Sequence, residues 1–158
     1  MTPTEMFIKT LTNLKTGDLS LLRTHAGQGL DESLEGFDLF TGIWWPLREK
    51  NQAAPRRSVA WLIAKLYAFC PIHQERGCAL AAQLRRCRPS EQFFKKCDRL
   101  LLLPNDRLEP ALQWAIGTLA SNKLRLDWVQ LTDDLSIWER ETTRLRWAEQ
   151  LLENREEK

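Results

Sequence analysis

At 158 residues, with 43% hydrophobic side chains that include seven Trp and six Phe, the chain suits one compact domain or two small helical lobes. A chain of this size buries about two-thirds of its unfolded surface, which removes any need for a disulfide or a metal to fold. The formal net charge of +2 says little until it is divided: residues 1–75 carry eight basic and eight acidic side chains, residues 76–107 eight and three, and residues 108–158 seven and ten.

In chain order, proline and glycine cut the sequence into helix-length pieces, and sustained two-residue alternation is missing. Phe7, Leu11 and Leu14 make a helical face that ends near Gly17, and Asp18 is placed to cap a short helix through Leu19, Leu22 and Ala26. After Gly27 and Gly29, an apolar stripe runs through Leu34, Phe37, Phe40 and Trp44. Pro46 to Pro55 is polar and charged and reads as a loop, with Pro55 in the first turn of the next helix, where its missing N–H costs nothing. That helix, Val59–Tyr67, is apolar nearly all round and reads as a central core element stopped by Pro71.

Ala79–Leu84 continues helical into Arg85-Arg86-Cys87-Arg88, broken by Pro89. Ser90 then caps a helix through Phe93, Phe94, Cys97, Leu100 and Leu101. Leu108, Leu112, Ala115, Ile116 and Leu119 form the next amphipathic face. Asp127 is a good N-cap for a last helical region holding Trp128, Leu131, Leu135 and Trp138, which Leu145, Ala148 and Leu151 extend after a break near Arg140–Thr142. The expected fold is all-α, a compact bundle of seven to nine helices, as a single domain over 1–158 or as lobes of about 1–88 and 89–158.

The positive excess lies in one stretch: Arg76, Arg85, Arg86, Arg88, Lys95, Lys96, Arg99 and Arg107. A local basic segment in a near-neutral chain marks either a polyanion-facing surface or a solvated helix face. The first residues hold no long apolar run, so neither a signal peptide nor a membrane span is expected. Four cysteines without secretory context read as reduced thiols in a cytoplasmic protein.

Catalytic chemistry is sparse. Two histidines, His25 and His73, both expected at the surface, leave little acid–base machinery, and no nucleophile elbow, phosphate loop or dinucleotide fingerprint is present. Gly27-Gln28-Gly29 lacks a preceding strand. Adjacent helical residues point about 100° apart, so Asp133-Asp134 do not share a magnesium ion easily and read instead as acids complementing a helix N-terminus. Cys70-x-x-His73 has zinc-like spacing, but Cys78 and Cys87 complete no standard ligand set. No metal, cofactor or enzymatic activity is expected. The helical tryptophans default to core packing. Trp44-Trp45 is the best candidate for base stacking, because adjacent helical positions cannot both face inward, and even there a subunit interface is the stronger reading.

An ordered set of short elements in the second half carries a family resemblance. These are Lys95-Lys96-Cys97-Asp98-Arg99-Leu100-Leu101, the turn Leu126-Asp127-Trp128, Asp134-Leu135-Ser136-Ile137-Trp138, and Arg144-Leu145-Arg146-Trp147-Ala148. Looser matches precede them at Gly17-Asp18 with Leu21-Leu22-Arg23, and at Pro55-Arg56 before Val59–Tyr67. Together they resemble the small subunit of the type I-E CRISPR Cascade complex, the CasB family, over nearly the full chain. The sequence departs from that pattern at Thr24, at Cys97, and at Gln113-Trp114, where an arginine pair is expected.

The resemblance implies a helical subunit without a catalytic centre. It would sit as two copies along a crRNA-bearing complex, beside other Cascade subunits, guiding the target DNA strand and holding the displaced one. Pairing reads sequence in such complexes, while protein supplies a basic groove. Arg23, Arg56, Lys95, Lys96 and Arg140 fall at the family's basic positions, with Arg57, Arg99, Arg107 and Arg144 beside them. Arg85 and Arg86 are candidates from charge density alone. Each would contact phosphate. A different reading is a helical protein–protein adaptor with Trp-rich interfaces. A helix-turn-helix regulator fits Leu84–Arg99 poorly, because Pro89 and the apolar run after it interrupt a recognition helix.

Overall fold

A computed structural model of the chain describes residues 2–26, 34–50, 55–87 and 91–156. Among these residues there are nine α-helices, one 3-10 turn and no strand; one isolated parallel bridge joins Gln74 to Leu126. The all-α expectation of seven to nine helices holds. None of the described helices is long and apolar enough to cross a membrane. The chain divides into two compact units, Met1–Pro71 and Ile72–Lys158.

The first unit comprises α1 (Pro3–Thr12), α2 (Thr16–Arg23), α3 (Leu34–Lys50) and α4 (Arg57–Phe69). The Thr2 hydroxyl caps α1 by accepting from the Glu5 N–H at 3.1 Å, and Pro3 takes the first helical position, where a proline is pre-organised for the helix. Every residue of α4 from Val59 to Ala68 except Leu62 is buried. A helix apolar all round belongs inside, and α2 and α3 both pack on it.

Three local expectations fail in this unit. Helix α2 begins at Thr16, so Asp18 is a first-turn acid rather than a cap. Helix α3 continues through Pro46 to Lys50 instead of yielding a loop there. The carbonyl that loses its partner to this proline belongs to Gly42, which is exposed and so remains open to water. Pro55 precedes the Arg56 cap of α4 rather than entering its first turn, and its carbonyl accepts from the Trp44 indole at 2.6 Å. The side chains of Leu34 and Phe37, and the segment around Gly27 and Gly29, lie outside the described residues.

The second unit comprises α5 (Leu80–Arg85), α6 (Glu91–Leu102), a 3-10 turn (Asn105–Arg107), α7 (Leu108–Ser121), α8 (Trp128–Ser136) and α9 (Glu141–Glu156). Helices α5 and α6 each pack against α7 and α9. That packing puts α5 with the C-terminal unit and places the division at Pro71; the stretch 88–90, with Arg88, Pro89 and Ser90, lies outside the described residues.

Asp127 caps α8 as expected and does more. Its carboxylate accepts from the Gln130 N–H (3.1 Å), the Gln74 side-chain amide (2.9 Å) and the Gly77 N–H (3.0 Å). Gly77 adopts φ +90°, a conformation that glycine reaches without a Cβ penalty. The Gln74 side-chain oxygen Oε1 in turn accepts from the Trp128 backbone N–H, and the Trp128 indole donates to the Ile72 carbonyl at 2.8 Å. The Leu-Asp-Trp element is thus the clasp that ties the 72–78 segment to α8.

Candidate nucleic-acid interface

Helix α6 has two faces with opposite chemistry. Phe93, Cys97 and Leu100 are buried, while Gln92, Lys95, Lys96 and Arg99 are exposed and line one open groove of about 270 Å³. Positions 92, 95, 96 and 99 stand three and four residues apart, so their side chains share one face of the helix. The stripe spans about 10 Å of axis, the rise of about three base-pair steps of a DNA duplex. Like charges at this spacing cost about 0.2–0.5 kcal/mol per pair, a cost that a bound polyanion removes. The Lys96 ammonium also lies over the Trp114 ring of α7, 5.3 Å from its centre.

The scaffold beneath the stripe is built from aromatic side chains. The Trp138 indole donates to the Leu103 carbonyl at 2.8 Å, just beyond α6, and the Asn105 side chain donates to the Leu135 carbonyl at 3.1 Å. Trp138 and Trp147 meet edge to face at 4.9 Å. These bonds bring the α6–α7 connection, which carries the exposed Arg107, against the α8–α9 connection, which carries the exposed Arg140. Arg144 is half-buried; its Nε donates to the Trp138 carbonyl at 2.9 Å and its guanidinium stacks on the Trp138 ring at 5.5 Å.

Other sequence candidates sit apart from the stripe. Arg85 is half-buried and reaches from α5 to the Gln150 carbonyl of α9 at 3.4 Å, so it braces two helices. Arg86 is exposed and donates to Gln83 at 3.1 Å. In the first unit, Arg23 donates to the Ala68 carbonyl at 2.9 Å, a cation at the negative end of α4. Arg56 and Arg57 are exposed at the other end of α4, about 16 Å away along the axis. With no side-chain cap and no acid in the first turn there, two cations stand at the positive end of a helix dipole. That electrostatic arrangement favours an anion.

The tryptophans are mostly spent on the core. Trp128, Trp138 and Trp147 are buried. Burying each removes about 150–250 Å² from water, a gross gain of about 4–6 kcal/mol against about 1–3 kcal/mol for stacking one base. Trp45, at 50% exposure, is the exposed member of the Trp44-Trp45 pair. An adaptor surface made of Trp faces therefore has little to draw on among the described residues.

Two residue expectations are corrected. His25 is buried, 6.1 Å from the Trp61 ring, because the chain leaving α2 turns inward against α4. Asp134 lies in the second half of α8 and is buried rather than complementing a helix N-terminus; it accepts from the Gln130 side chain (2.8 Å), the Trp147 indole (2.8 Å) and Arg146. Sequence reasoning passed over Gln92, whose place three residues before Lys95 is the signal that joins it to the stripe.

No disulfide joins the four cysteines. Cys78 donates to the Glu75 carboxylate at 3.0 Å, and that hydrogen bond, with burial, pushes its thiol up. Burial raises the Cys70 and Cys87 thiols. Zinc requires thiolates, which these environments disfavour, and no group of three His, Cys, Asp or Glu among the described residues could hold a metal.

The model of the family described as CRISPR-associated protein Cse2 matches residues 18–150. The chain belongs to the Cse2 family. This is the family of the type I-E Cascade small subunit, and the other Cascade subunits are its partners. Among solved structures, CasB from M. ruber is similar with a TM-score of 0.76 at 17% identity, covering 96% of this chain and 93% of that one. CasB from Thermus thermophilus gives 0.74 at 23% identity, covering 96% and 98%. CasB from Thermobifida fusca gives 0.72 at 18%, covering 94% of each. At these identities the likeness establishes the Cse2 fold. No curated protein matches the sequence.

Proposed function

We propose that this Cse2-family chain is a non-catalytic, cytoplasmic subunit that steadies the R-loop of a crRNA-guided complex by gripping the sugar–phosphate backbone of DNA. The observation that carries the reading is the α6 stripe, which sets Lys95, Lys96 and Arg99 on one exposed face with Gln92. Cations spaced along one helix face match successive phosphates and carry no base code. Arg56 and Arg57 at the α4 N-terminus, with Arg107 and Arg140 at the paired connections, are further phosphate contacts in this reading. In this reading Arg23, Arg85, Arg86 and Arg144, which donate to Ala68, Gln150, Gln83 and Trp138, also brace the fold. A second copy in the complex extends the grip along the target and displaced strands.

The test is a K95A/K96A/R99A variant in the assembled complex, with single-strand-specific nuclease probing of the displaced strand. Cleavage of that strand is expected to rise several-fold while the preferred target sequence stays the same. Undiminished protection by a complex that has incorporated the variant would overturn the proposal.

A further inference from the structure

Trp114 has no part in phosphate gripping as described, yet it borders the stripe. It stands on α7, half-buried. Phe93 of α6 abuts it with ring centres 5.7 Å apart, fixing the indole from the buried side chain of a packed helix. The Lys96 ammonium lies 5.3 Å above the ring, and Lys96 is itself exposed. The tip of a long, rotatable side chain thus lies over one face of the indole.

A cation–π contact at an exposed site is worth about two- to fivefold in an equilibrium, so the contact is readily broken. A phosphate that draws Lys96 into an ion pair uncovers the ring beside the strand that delivered it. A nucleobase on the same strand can stack on the uncovered face, with a gain of roughly five- to 150-fold in affinity. The other tryptophans of this unit, Trp128, Trp138 and Trp147, are buried and have no such face to offer.

We infer that Trp114 is a stacking platform for an unpaired nucleobase, coupled through Lys96 to the phosphate stripe of α6. The inference rests on the phosphate-gripping reading and adds a non-electrostatic component to it. Stacking tolerates any base, because each has a π face, so the subsite favours single strands without favouring a sequence. A duplex keeps its bases stacked internally and gains nothing from Trp114.

The two components separate by charge. An oligothymidine strand and an abasic strand of equal length carry the same phosphates, and only the first has bases. Binding of both to the full chain is measured by fluorescence anisotropy from low to moderate salt. Wild type is expected to bind oligothymidine at least fivefold more tightly than the abasic strand. W114L is expected to lose that preference with an unchanged salt slope, and W114Y, which keeps a ring, to retain it.

Equal affinity of wild type for the two strands overturns the platform and leaves phosphate gripping standing. Preference retained in a folded W114L also overturns it. Salt-sensitive binding to neither strand overturns both readings. If W114L unfolds, the wild-type comparison of the two strands and the behaviour of W114Y still decide.

Discussion

Asp134 gathers three donors, the Gln130 amide, the Arg146 guanidinium and the Trp147 indole, on a carboxylate that is 4% exposed. Removing the acceptor leaves the buried Trp147 N–H without its partner, and an unsatisfied buried donor costs about 1–3 kcal/mol. D134A is expected to lower the stability of the folded chain by that amount in urea denaturation, and D134N by less, since one oxygen still accepts. A change within about 0.5 kcal/mol, the range of ordinary surface substitutions, would show that the cluster is not structural. Residue roles of this kind were the least legible in the sequence. Asp134 sits beside Asp133 and looks like any helix acid, and nothing local announces that Trp147, thirteen residues on, supplies its partner. His25 hides in the same way, because Trp61 of another helix buries it.

At the scale of elements, the α3 helix passes through Pro46, against the rule that proline in a helix interior removes a hydrogen bond and crowds the carbonyl four residues back. The Gly42 carbonyl is left without that bond, and Gly42 is exposed. An alanine restores the donor and avoids the interior penalty of about 3 kcal/mol, partly offset by greater freedom in the unfolded chain. P46A is expected to stabilise the protein by about 1–2 kcal/mol in urea denaturation; destabilisation would mean that the chain needs a break there. Most other elements were legible from periodicity and punctuation. Pro71 and Pro104 follow the helices they stop and Asp127 caps α8, while the last break falls at residues 137–140, a little earlier than expected and taking Trp138 out of the helix. Helix α6 was legible on its buried side, through Phe93, Cys97 and Leu100, and the exposed stripe follows from the same period.

Over the whole molecule, positive charge concentrates between residues 76 and 107, and the structure sorts that stretch rather than presenting it as one surface. Arg85 turns to Gln150 and Arg86 to Gln83, whereas Lys95, Lys96 and Arg99 line one groove. Charge density alone could not make this distinction, because it ignores which helix face each side chain occupies. In the first unit the same limit separates Arg23, drawn to one end of α4, from Arg56 and Arg57 at the other.

The central claim is electrostatic, and its most direct test is the salt dependence of single-stranded DNA binding. Each phosphate neutralised on a single strand contributes about −0.7 to the slope of log affinity against log salt. For K95A/K96A/R99A, anisotropy titrations at several salt concentrations are predicted to give a slope shallower than wild type by about 2, with affinity lowered equally for all sequences. Superimposable slopes, or a loss confined to particular sequences, would contradict the account.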